Sequence, residues 1–133
     1  MQPLFLTRLV GSGAAAAPLA ATVNNGRFYV NRKIRVKQIK TTAEAQVAGA
    51  DTNSVTLALR NLGTDGSGTT DLATLALTNG VDMAADTPKA LTLSATAANL
   101  VVNPGSVLTF RQVKVGNGMN IAAMHCEVEY EVI

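Results

Sequence analysis

The sequence holds one histidine and one cysteine, and they are neighbours, His125 and Cys126. A thiol and an imidazole within hydrogen-bond reach would make a nucleophile–base pair. Cys126 opens an alternating run, CEVEYEV, with His125 just before it, and the period of two sends adjacent side chains to opposite faces of a strand. They therefore cannot meet within one subunit. Cys126 shares a face with Val128 and Tyr130 and reads as a small core residue, while His125 shares the other with Glu127. One Cys and one His cannot close a tetrahedral zinc site, and a single cysteine makes no intramolecular disulfide.

Oxygen ligands are the next possibility. The loop DGSGTTD offers Asp65, Ser67, Thr69 and Asp71 at every second position, a set that suits a hard cation. It lacks the later Glu and the spacing of an EF-hand loop, so a flexible hairpin loop is the expectation. Whether residues 65–71 hold an ion stays open at this point. Glycine-rich stretches such as GTDGSG and VGSG do not join a strand to a helix with a following Lys, so no phosphate cradle is expected. No acid, base and nucleophile fall together anywhere, and the expectation is a protein that is not an enzyme, with no catalytic, cofactor-binding or metal-ligating residues and no cofactor.

Charge is the remaining chemistry. Of eleven basic residues, five lie in VNRKIRVKQIK, residues 30–40, and no acidic residue precedes Glu44. A nucleic-acid surface would interleave such a run with exposed aromatics or carry a recognition motif. Only Tyr29 lies on the basic face, so no direct nucleic-acid partner is expected. At the other end of the chain Glu127, Glu129 and Glu131 alternate as Lys33, Arg35 and Lys37 do. If the two strands pair antiparallel, these six residues face one another and help fix partner and register. Arg32 falls on the apolar face of that strand and is a candidate for an interface.

The elements that would position these residues are short strands. Phe28, Val30, Ile34 and Val36 alternate with Arg27, Tyr29, Lys33, Arg35 and Lys37, and Ile39 breaks the register, as a bulge or strand end near Gln38 would. Similar runs follow in SVTLALRN, DLATLAL, KALTLS and SVLTFRQVKV. Turn clusters (NLGTDGSGTTD, TNGVD, ADTP, NPGS and GNGMN) separate them, the mark of a sandwich or barrel. Apolar residues make up 47% of the 133, but only 4% are aromatic and none is Trp, so the core is built of small and β-branched side chains. Net charge is +2, too little to demand a polyanionic partner. No apolar run reaches the roughly 18 residues of a membrane span. In the first twenty residues Arg8 interrupts the apolar part with no basic residue before it, the wrong pattern for a secretory signal.

Residues 1–22 read as an extended N-terminal arm and 23–133 as a single all-β domain. Leu4, Phe5, Leu6, Leu9 and Val10 would be the adhesive part of the arm. They either grip a neighbouring surface or add an edge strand to their own domain, and the two alternatives stand level.

The runs DTNSVTLALRNLGTDGSGTTDLATLALTNG and NPGSVLTFRQVKVGNGMNIAAMHCEVEY give the chain a resemblance to the small decoration (cement) proteins of tailed-bacteriophage heads. It covers roughly residues 28–133 and rests on pattern and composition. The resemblance implies a jelly-roll β-sandwich on the capsid exterior, often a homotrimer at local three-fold axes, that binds the major capsid protein and clamps neighbouring capsomers. It also implies a virion protein made in the host cytoplasm, and the missing disulfides suit that reducing compartment. Two further readings remain: another phage structural component (small coat, tail or fibre protein), or a carbohydrate-binding β-sandwich module. The latter would need exposed aromatic platforms.

Overall fold

The computed structural model describes the backbone of Leu4–Val10 and residues 22–133, the Val23 side chain excepted. Strands form where Leu and β-branched residues alternate with polar ones, and they stop at Gly, Pro, Asn and Asp. The described residues hold ten: β1 (Leu4–Val10), β2 (Val23–Tyr29), β3 (Ile34–Ala43), β4 (Ser54–Asn61), β5 (Thr70–Ala76), β6 (Lys89–Ala90), β7 (Thr92–Leu93), β8 (Val101–Val102), β9 (Val107–Val115) and β10 (Met124–Val132). The alanine-rich stretch after β7 makes one short 3₁₀ turn, Ala97–Leu100.

Two antiparallel sheets face each other. One runs β1-β10-β3-β6, with β8 also on β3; the other runs β2-β9-β4-β5-β7. Taking β6 and β8 as one broken strand, and setting the two-residue β7 aside, leaves two four-strand paths in which first and last strands are neighbours, the order of a jelly roll. KALTLS was expected as one strand, but β6 pairs with β3 while β7 crosses to pair with β5. The segment thereby stitches the two sheets along one open side and shortens their free edges.

The inner faces pack into one hydrophobic core. Leu57, Leu59, Leu72, Leu108 and Phe110 from one sheet meet Val36, Ile39, Met124, Cys126 and Val128 from the other, all at 0–1% exposure. Burying each of the larger ones is worth roughly 1.5–3 kcal/mol. Leu77, Met83 and Ile121 close one end of this core. At that end Gly49 admits no side chain, since a Cβ there would lie 1.8 Å from the Thr78 carbonyl oxygen.

Two sequence expectations change here, and one neighbour is added. Residues 27–40 are not one strand: β2 ends at Tyr29 in one sheet and β3 starts at Ile34 in the other. Between them Val30 is clamped by the turn at Pro104 and Gly105, donating its N–H to Ser106 O (2.9 Å) and accepting from Gly105 N (2.7 Å). Gly105 holds φ +87°, the left-handed conformation that a turn with Pro one place earlier demands. Residues 31–33 then carry the chain across the sandwich. Arg32 accordingly lies exposed on the crossing, not on the apolar face of a strand.

The second change concerns the arm. Leu4–Val10 pairs with β10 from Leu4↔Tyr130 to Val10↔Met124, so the edge-strand alternative describes this segment and the sandwich takes it in. The side chains of Leu4, Phe5, Leu6, Leu9 and Val10, and the rest of the arm at 1–3 and 11–21, lie outside the described residues. The added neighbour is β1, so β10 is flanked on both sides, by β1 and by β3. The last strand is therefore central in its sheet.

Candidate interaction surface

β3 and β10 are neighbours, and their charges share the outer face of the sheet. The register, however, departs from a ladder of three rungs. Glu127 stands opposite Lys40, Glu129 opposite Gln38 and Glu131 opposite Arg35. The cause is a bulge: Val36 pairs with Tyr130 and Gln38 with Glu129, which leaves Lys37 as the extra residue on β3. This is the slip that Ile39 betrayed in the alternation.

Contact concentrates on one carboxylate. Arg35 Nη1 lies 3.0 Å from Glu131 Oε1, and Lys37 Nζ lies 3.6 Å from Glu131 Oε2. Glu131 is largely covered, at 12% side-chain exposure, while Arg35 and Lys37 are about half exposed. Lys33 precedes β3, and what it supplies is its carbonyl, which accepts the Ile133 N–H at 3.0 Å. Among the described residues Lys33, Glu127 and Glu129 enter no ion pair. Gln38, Lys40, Glu127 and Glu129 instead border a shallow depression of about 160 Å³.

A stronger pair sits on the other sheet. Arg60 grips Asp71 with two hydrogen bonds, Nε to Oδ1 at 2.7 Å and Nη2 to Oδ2 at 3.1 Å. That bidentate bond, opposed in part by desolvation, raises the guanidinium pKa above its ordinary value. Asp71 was one of four candidate oxygen ligands in the 65–71 loop, and here it is committed to arginine. Asp65 accepts from the backbone N–H (3.0 Å) and hydroxyl (2.8 Å) of Ser67, which lowers its pKa. The two carboxylates thus serve the hairpin, and no three His, Cys, Asp or Glu side chains converge among the described residues.

His125 and Cys126 occupy opposite faces of β10, exposed and fully buried respectively. Burial, with a smaller push from Glu127, drives the thiol up to about 12. It is protonated at neutral pH and a poor nucleophile. Gln112 is a polar residue that alternation does not flag. It shares the core face of β9 with Leu108 and Phe110, accepts from Asn25 Nδ2 at 2.9 Å, and leaves its own Nε2 without a partner among the described residues.

The crossing at residues 31–33 opens a cavity of about 320 Å³. Tyr29 at the end of β2, Val30, Arg32, Ile34, and Tyr130 and Val132 from β10 form its wall. Tyr29 is 68% exposed, and the apolar surface continues through Val132 (37%) to Ile133 (45%). Sequence reading named Arg32 an interface candidate on the apolar face of a strand and assigned the two tyrosines to strand faces. The signal available was Arg32 itself, a charge in the wrong phase of an alternating run.

No protein-family model matches the chain. No curated protein matches it either. Among solved structures it is similar to a chain in the structure of infectious bursal disease virus, Gx strain, at 12% identity and a TM-score of 0.45. The match covers 98% of this chain, which spans 32% of the length of that one.

Proposed function

We propose that the chain is a virion structural protein, a decoration protein that binds the outer surface of a bacteriophage head and stabilises contacts between capsomers. The observation that carries this reading is the jelly-roll strand order, with β10 held between β1 and β3. Jelly rolls serve viral shells, lectins and cupins. A cupin-type metal centre needs several histidines, and this sequence has one. Fold-level analogy joined to the sequence resemblance supports the shell role over the others.

In this role the partner is the major capsid protein, the state on the shell is a homotrimer, and no nucleic acid or membrane is engaged. The role is non-enzymatic. Each subunit contributes a modest contact, and several linked contacts on one shell multiply into tight attachment. A carbohydrate-binding module is the second reading, favoured by the exposed Tyr29 beside Tyr130 and Arg32.

Mixing the purified protein with expanded empty heads of the virus that encodes it, followed by sedimentation and native mass measurement, separates the two. Co-sedimentation with a trimer mass is expected. A monomer that stays in the supernatant yet is retained by polysaccharide would overturn the shell role.

A further inference from the structure

We infer that the corner cavity between Tyr29 and Tyr130 is a docking socket for an acidic peptide segment of a partner protein. Three observations carry it. First, its wall holds a cation and no carboxylate: Arg32 is exposed and takes part in none of the ion pairs among the described residues. The nearby Arg35 and Lys37 are already matched to Glu131, whereas Arg32 and the exposed Lys33 that follows it are not. An anion placed here meets uncompensated positive charge.

Second, the composition is that of an interface anchor. Two tyrosines and an arginine around an aliphatic floor of Val30, Ile34 and Val132 are the residue types that dominate binding energy at protein interfaces. The backbone under the wall is also held in place. Val30 is clamped to the turn at Gly105, and Tyr130 is paired to Val36 within the central strand of its sheet. Binding then has to order the exposed side chains of Tyr29 and Arg32 but not the backbone beneath them.

Third, shape and polarity favour a peptide over a saccharide. A volume of about 320 Å³ holds one side chain or one sugar ring. A sugar, however, needs several directed polar partners around its hydroxyls, and this wall offers few beyond Arg32, the Asn31 amide and two phenols. The apolar strip through Val132 and Ile133 extends the surface beyond one ring, as an acidic residue flanked by apolar neighbours requires.

The partner's identity as the shell protein rests on the function proposed above, but the socket's chemistry can be tested without it. The full chain would be titrated with a capped acidic pentapeptide (Leu-Asp-Val-Glu-Leu), its Asn/Gln counterpart, and oligogalacturonate, following backbone amide shifts by NMR. We expect the acidic peptide to shift the amides of Tyr29, Arg32, Tyr130 and Val132. The amide counterpart should bind more weakly. Arg32→Glu and Tyr29→Ala should each weaken binding about tenfold or more, with melting midpoints near that of the wild type because both side chains are exposed. No shifts at this corner, equal binding of the neutral peptide, or preference for oligogalacturonate would overturn the inference. On heads, wild type that fails to sediment counts against the shell role alone. Heads that take up wild type and Arg32→Glu equally place the docking face elsewhere and sink the socket.

Discussion

Cys126 and Gln112 are two polar-capable groups in one apolar core, and they bear opposite consequences. The Cys126 thiol stays neutral because burial raises its pKa from the ordinary 9.0 to about 12. The unfolded chain ionises first as pH rises, so this contribution to stability is intact below pH 9 and is lost between pH 9 and about 12. Cys126→Ala lacks that term. Its stability deficit relative to wild type, followed by denaturant unfolding, should therefore shrink across that interval, and a constant deficit would contradict the burial argument. Gln112 buries a donor with no acceptor among the described residues, which carries a cost that an apolar side chain of similar volume avoids. Gln112→Met should be neutral or stabilising by up to about 1 kcal/mol, because half-exposed Asn25 can turn to water. A loss larger than about 1 kcal/mol in chemical denaturation would mean the amide is satisfied.

Elements are joined less by charge ladders than the sequence suggests. Alternating Lys/Arg and Glu runs predict three opposed pairs, but the bulge at Lys37 shifts the phase and gathers two cations on Glu131. In a double-mutant cycle Arg35→Ala and Glu131→Ala should couple by about 0.2–1 kcal/mol, falling in high salt. Lys33→Ala and Glu127→Ala should show no coupling, since no ion pair joins them. Equal coupling in both cycles would restore the ladder. The partner strands themselves were legible, because hydrophobic alternation and sign of charge are local properties. Their rungs were not, because a bulge is set by how two twisted strands settle against each other. The same limit hid the break in residues 27–40. Only Arg32, out of phase with its neighbours, marked where the chain leaves one sheet for the other.

Across the whole molecule the fold closes by bringing opening and closing strands together. β10 is hydrogen-bonded on both sides, and β1 is what covers its outer edge. Deleting residues 1–10 should bare that edge, a template for pairing with other chains. Increased light scattering at the same concentration, with a lower melting midpoint, is the expected result. Unchanged scattering and an unchanged melting midpoint would mean β1 contributes nothing to closure. Sandwich closure also makes the corner cavity. It joins Tyr29 from β2 with Tyr130 from β10, residues 101 positions apart in a chain of 133, and no local pattern records that meeting.

The sequence alone specified an all-β chain with a β-branched and leucine core, a buried thiol, and opposite charges on β3 and β10. These follow from side-chain type and a period of two, which each strand carries within itself. Tertiary structure alone decided the sheet to which each strand belongs, the bulged register that commits Glu131 to two cations, and the corner where Arg32 meets two tyrosines. Those depend on hydrogen bonds and packing between residues distant in the chain, such as the clamp of Val30 by the turn at Gly105. Such partners are chosen only when the two sheets close on one core.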